Sequence, residues 1–313
     1  MKQRDFSIDF IRFIAIIFIT NSHFQPLYSF YPALATLGVH GNALFFFISG
    51  YALTLGNSVL DGFIPWYKKR ISRIWPTIII WTISTNLLFH QPITWKDFLL
   101  ASNYWFIQCI IIYYIILYFL NKVNISYLVS LFFCSILLFF CIVVFTSKTF
   151  GSIYHSFHFF CYFPSMILGL YCGKKQPTTK FPITKTIISF IAYFIIMSIG
   201  KNKETVLYYT QLAAIIPLNL FVYYMFTCKN TWNKIITYSH LKQVISIISS
   251  LSLEIYIVQF SLITKAYNDY FPFNFMIIIL SIIIVAYFLK IITTTFIQTI
   301  SKDNYNLKNI FKP

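Results

Sequence analysis

Runs of roughly twenty apolar residues, the length that crosses bilayer hydrocarbon as a helix, recur along the whole chain. They fall at approximately 6–28, 38–60, 72–89, 99–120, 125–146, 155–172, 183–200, 205–227, 244–264 and 273–297. Inside lipid every backbone polar group must be satisfied internally, which leaves helices and closed barrels, and runs of this length fit helices. The expected fold is therefore all-α: a polytopic membrane protein of about ten transmembrane helices. The sixth run is the shortest and contains Pro164 and Gly169, which makes a broken or re-entrant helix an option there.

Composition agrees. Of 313 residues, 58% are hydrophobic and 10% charged, with a mean hydropathy of +0.72, which excludes a soluble domain. The net charge of +16 is accounted for by Lys and Arg in cytoplasmic loops, so no nucleic-acid partner is expected. With the N-terminus in the cytoplasm, seventeen Lys and Arg fall on the inside and five on the outside, a positive-inside bias that puts both termini in the cytoplasm. The connectors are short, and residues 1–313 are expected to form one integral membrane domain with no separate soluble domain. No cleavable signal peptide is evident, because the first run is too long and carries charge. The six cysteines, Cys109, Cys134, Cys141, Cys161, Cys172 and Cys228, lie in or beside apolar runs and are expected to be small buried hydrophobes.

The first run holds three ionisable residues, Asp9, Arg12 and His23. An Arg or Asp at the centre of an inserted helix costs roughly 2.5–3.5 kcal/mol, so such residues mark a functional site by default. Arg12 and His23 are eleven residues apart, about three helical turns and roughly 16 Å of rise, and so share a face. Asp9 can pair with Arg12 on that face. The alternative is an Asp9–Arg12 pair that snorkels at the cytoplasmic end, with His23 at the far interface.

Further polar residues punctuate the later runs. The second opens V-H-G-N-A-L-F-F-F-I-S-G-Y, where Gly41, Ser49 and Gly50 allow close packing or a bend and Asn42 needs a partner. The third is entered through W-Y-K-K-R-I-S-R-I-W-P. There Lys69, Arg70 and Arg73 suit either a phosphorylated cofactor or anionic lipid headgroups. Tyr104 and Trp105 are expected in an interfacial aromatic belt, with Asn103 and Gln108 as weaker site candidates. His155 and His158 sit three apart without a carboxylate or Cys to complete a shell, so no metal is expected. In the ninth run, Glu254 is the one acidic residue in the middle of a span after the first. It must be paired or protonated, and Arg12 or another basic group is its expected partner unless it serves a proton path. Ser252, Tyr256 and Gln259 lie near it.

Taken together these stretches resemble the acyltransferase-3 family of integral membrane acyltransferases, which O-acetylate sugars and related cell-surface molecules. The family's opening pattern, an acidic residue followed by an Arg and a His with ten residues between them, is matched by Asp9, Arg12 and His23. Its F-F-x-x-S-G stretch resembles Phe46, Phe47, Ser49 and Gly50, here with one residue between Phe47 and Ser49, and its R-x-x-R-I-x-P entry is matched by Arg70, Arg73, Ile74 and Pro76. Its W-F segment is matched by Trp105 and Phe106, and its late S-x-x-I-Y stretch by Ser252, Ile255 and Tyr256. The resemblance spans nearly the whole chain. It departs where members often place a His after the late I-Y-x-x, since this chain has Gln259 there.

The resemblance implies an O-acetyltransferase that uses acetyl-CoA as acyl donor and a polysaccharide or lipid-linked sugar as acceptor, in a bacterial plasma membrane. It implies His23, Arg12 and Asp9 as catalytic residues and Lys69, Arg70 and Arg73 as the cofactor-binding cluster. Asn42, Ser49, Glu254 and Tyr256 fall to the substrate. His23 would deprotonate an acceptor hydroxyl or carry the acetyl group briefly. The competing readings are a transporter or flippase using the same intramembrane charges and a polysaccharide polymerase. No inverted repeat is visible for the first, and no large outside loop for the second.

Overall fold

A computed structural model describes residues 6–55, 62–146, 160–175, 182–200, 211–227, 239–301 and 306–311. Among these residues the regular structure is helical throughout, with no strand. The helices are α1 (Phe6–His23), α2 (Gly38–Leu53), α3 (Phe63–Phe89), α4 (Trp95–Leu99), α5 (Trp105–Leu120), α6 (Ile125–Thr146), α7 (Phe163–Lys175), α8 (Ile183–Ile199), α9 (Ile215–Phe226), α10 (Ser239–Ser250), α11 (Ser252–Leu262), α12 (Phe273–Ser301) and α13 (Leu307–Ile310). Three stretches are long and apolar enough to cross a membrane by length and composition: Phe6–His23, Pro32–Leu53 and Phe273–Ser301. A fourth is added if the bent pair α10 and α11 is one span. Helices α5, α6, α8 and α9 are apolar but shorter.

Two expected spans differ in form. The third helix starts at Phe63, not at residue 72, so the basic cluster stands on its wall and not in the loop before it. The ninth run is bent by 70° between α10 and α11. The cause is local: the bend falls in Ser249-Ser250-Leu251-Ser252, where hydroxyls compete for backbone and side-chain partners. Ser250 Oγ donates to the Ile247 carbonyl at 2.7 Å. Ser249 Oγ donates to the Asp9 carboxylate at 3.2 Å, which ties the bend to α1. In the sixth run a bend at Tyr162 precedes α7; residues 147–159 lie outside the described residues. Gly169 does not break α7, which runs through it.

Glycine instead sets how closely the helices approach. A Cβ at Gly50 would overlap the Met166 carbonyl oxygen of α7, and one at Gly169 would overlap the Phe47 carbonyl oxygen of α2. The two helices therefore meet backbone to backbone, through one glycine from each. On its other side α2 meets α1, where a Cβ at Gly41 would come within 2.7 Å of the Ala15 carbonyl oxygen. Between membrane helices small residues permit this approach, and dispersion replaces the hydrophobic drive that lipid does not supply. Helices α11 and α12 pack against α3, and α9 against α8. The core is aromatic where α2 meets α5 and α7: Phe46 lies 4.5 Å from Phe106 and 5.4 Å from Tyr162, ring to ring.

The connection between α3 and α5 is fastened by Asp97, whose carboxylate accepts from the Thr94 N–H and Oγ1, both at 2.8 Å. It accepts also from Ser102 Oγ and from Asn103 Nδ2 at 3.2 Å. This capping box closes the start of α4 and directs the chain into α5. Burial would raise the Asp97 pKa, but the hydrogen bonds from Ser102 and Thr94 win and hold it below the usual carboxylate range.

Two predictions follow from these contacts. Gly50→Val and Gly169→Val are each expected to cost at least the ~1–3 kcal/mol of overpacking, because the obstructing atoms are backbone. An unchanged melting temperature in detergent would contradict the backbone contact. A depressed folded-state pKa gives Asp97 a stabilising contribution that is fully present above the unfolded value, about 3.9. That contribution is lost as pH falls through the folded value. Asp97→Asn should thus flatten the acid limb of the melting-temperature profile below about pH 4, and an unaltered limb would contradict the capping geometry.

Candidate active site

The face of α1 that carries Arg12 and His23 also carries Ile16 and Ile19, at the i, i+4, i+7 and i+11 positions of one stripe. Arg12, Ile16 and Ile19 line a cavity of about 160 Å³ enclosed by α1, α2, α3, α5 and α11. Each further wall is built the same way. Helix α2 presents Phe45 and Ser49, α5 presents Phe106, Ile110 and Tyr114, and α11 presents Ser252 and Tyr256. The spacing of three or four residues repeats on α1, α2, α5 and α11, and α3 adds Ile74, so polar groups are set at fixed depths between apolar ones. The Ser49 hydroxyl donates to the Phe45 carbonyl at 2.7 Å.

At the Arg12 end the positive charges converge. The Tyr114 hydroxyl lies within the electrostatic reach of Arg70, Arg12 and Arg73, so α1 and α3 bring three guanidinium groups towards one phenol of α5. Arg70 is half-buried, with its guanidinium 3.7 Å from the Trp66 ring centroid and donating to the Trp66 carbonyl at 3.1 Å. Stacking and a backbone bond of this kind orient a guanidinium. Arg73 is exposed. Lys69 is exposed too, about 100° round α3 from Arg70, and the structure does not bring it into the cluster.

At the other end His23 lies one turn past Ile19, beyond the cavity lining. Its ring is 4.7 Å from Phe260 of α11, edge on. Phe260 in turn lies 5.4 Å from Tyr256 and 5.9 Å from Tyr104, and Tyr256 lies 5.2 Å from Phe106. Of the aromatic belt expected at Tyr104 and Trp105, Tyr104 differs, because its ring is buried. Tyr104 is buried against α11, and Trp105 stacks on Tyr162 at 5.7 Å.

The remaining candidates have the following surroundings. Asp9 is buried and serves α10 through Ser249. Glu254 points opposite Ser252, away from the cavity, and pairs with Lys290 of α12 at 3.1 Å; this basic partner, not Arg12, is the one among the described residues. Asn42 is on the stripe of α2 that carries Phe45 and Ser49, with its buried Oδ1 unbonded among the described residues. His155 and His158 lie outside the described residues. No group of three His, Cys, Asp or Glu able to hold a metal is present among the described residues.

Sequence reasoning missed Tyr114, whose neighbours Ile110 and Phe106 precede it at intervals of four, the one signal that marked its face. It missed Phe260 as well, which only the packing of α11 against α1 brings to His23. His40 went unremarked too: it bonds the Tyr193 hydroxyl through Nε2 at 2.9 Å and fastens α2 to α8.

No curated protein and no solved structure matches the chain. A family model described as an acyltransferase domain matches residues 5–295, a stretch that contains every wall of the cavity. With that match over most of its length, the chain belongs to the acyltransferase-3 family of membrane acyltransferases.

Proposed function

We propose that this acyltransferase moves an acetyl group from cytoplasmic acetyl-CoA to a hydroxyl of a cell-surface polysaccharide or its lipid-linked precursor. One observation carries the reading: the stripe of α1 ends in a cluster of guanidinium groups at Arg12 and in an imidazole at His23, with a small cavity between them. The positive-inside count puts the Arg12 end towards the cytoplasm, where phosphate-bearing donors are made. Ten spans with both termini inside, in the plasma membrane of a bacterium, complete this topology. Arg12, Arg70 and Arg73 hold the donor's phosphates, with Lys69 as an outlying charge on the approach. Asp9 sets the position of α1, and Glu254 that of α11 through Lys290. Asn42, Ser49 and Tyr256 line the path of the reacting groups.

The size of the cavity supports a short acyl group. At about 160 Å³ it falls below the ~300–1,000 Å³ of pockets that take drug-sized ligands. A two-carbon acyl group and its thioester suit this space, and a long acyl chain does not. His23, nearer the outer surface, deprotonates the acceptor hydroxyl or carries the acetyl group between donor and acceptor.

The test uses membranes that contain the protein and labelled acetyl-CoA. Label should enter carbohydrate as a base-labile ester. His23→Ala should lower the rate at least 10²-fold, at the low end of the ~10²–10⁴-fold that a general base contributes, and Arg12→Ala should do the same while the protein remains folded. A wild-type protein that is folded and transfers no label would overturn the reading.

A further inference from the structure

Tyr256 and Gln259 are three apart on α11, on the stripe that opens with Ser252 at the cavity wall. Gln259 is 0% exposed, and neither its Nε2 nor its Oε1 has a hydrogen-bond partner among the described residues. The Tyr256 hydroxyl is likewise buried: its O–H is given to no acceptor among the described residues, while its oxygen meets the Phe106 backbone N–H at the start of α5. Two donors on one helical stripe are thus dry and unused. Burying an amide without partners is costly, and a polar group held that way in a native structure calls for a use. The surroundings indicate which use. Ser252 and Tyr256 face the cavity, Phe260 lies between Tyr256 and His23, and the Phe106 N–H in the first turn of α5 meets the Tyr256 hydroxyl.

We propose that the Tyr256 hydroxyl and the Gln259 side-chain amide are the donors that stabilise negative charge on the carbonyl oxygen during acyl transfer. This rests on the acetyltransferase reading above. The acceptor hydroxyl gives its proton to His23 as its oxygen bonds to the carbonyl carbon. The carbonyl π pair moves onto oxygen, where the O–H of Tyr256 and the N–H of Gln259 meet it. When the pair returns, the C–S bond breaks, and the leaving thiolate takes the proton from the imidazolium. Donors already desolvated and held by a helix need no reorganisation as the charge develops, which is where such groups are most effective. An amide in this position donates without titrating, so its contribution does not vary with pH.

The assignment makes rate and stability move apart. In Gln259→Leu, kcat for acetyl transfer should fall by about 10²–10³, the effect of removing one such donor, with KM for acetyl-CoA nearly unchanged. The melting temperature should stay level or rise, because the replacement removes an unsatisfied amide from the interior. Gln259→Met, closer in shape, should behave alike, and Tyr256→Phe should lower kcat in the same way. A wild-type rate in Gln259→Leu would overturn the proposal, and so would a fall in rate accompanied by a lower melting temperature in both Gln259 variants, which marks a structural role. A raised KM with unchanged kcat would assign the amide to binding alone and would also overturn it. These results require an active wild type. A wild type without acetyl transfer would overturn the functional reading itself and this proposal with it, which distinguishes the two failures.

Discussion

Backbone meets backbone where α2 crosses α7, and the remaining geometry depends on that contact. With Gly50 against Met166 and Gly169 against Phe47, α2 is pressed so close that Phe45 and Ser49 on its adjoining face have only one place to go. Gly41 allows the same approach to α1, which brings Arg12, Ile16 and Ile19 opposite that face. Larger residues at these three positions would hold the helices apart and open the narrow cavity into a cleft. Lipid offers no hydrophobic drive between helices, so the fold relies on fit. Glycine supplies the fit.

A guanidinium, an imidazole and a carboxylate in one apolar helix would each be costly in hydrocarbon. The bundle gives each of them polar or aromatic neighbours. Asp9 goes to Ser249 at the bend, Arg12 goes to the cavity where Arg70 and Arg73 approach Tyr114, and His23 goes to the aromatic end against Phe260. The result is a polar axis inside an apolar bundle, cationic at one end and able to accept a proton at the other. Under the function proposed above, the cationic end meets a phosphorylated donor and the imidazole end a hydroxyl acceptor.

The helical character of the fold was legible in the run lengths, and the role of the first helix in the spacing of Arg12 and His23. The family was legible in motifs that combine residue type with order, such as Arg70, Arg73, Ile74 and Pro76. What the sequence hid was tertiary. Gly169 reads locally as a helix breaker, yet its missing side chain serves a neighbour more than a hundred residues away in the chain. Tyr104 reads as interfacial because aromatic residues beside a polar loop usually are; its ring is instead buried against Phe260 and Tyr256 of α11. The bend at Leu251 is written in its serines, but its tie to Asp9 of α1 is not. Glu254 reads as a partner for any intramembrane cation, and only the packing of α11 on α12 selects Lys290.

The most direct measurement is an experimental structure with a non-transferable acetyl-CoA analogue, its thioester replaced by a thioether ketone. The account predicts phosphates at Arg12, Arg70 and Arg73 and the acyl end in the cavity beside Ser252 and Tyr256, short of His23. An acyl end lodged instead in the apolar groove between α5, α6 and α7, about 920 Å³ and lined by Trp105 and Gln108, would contradict it.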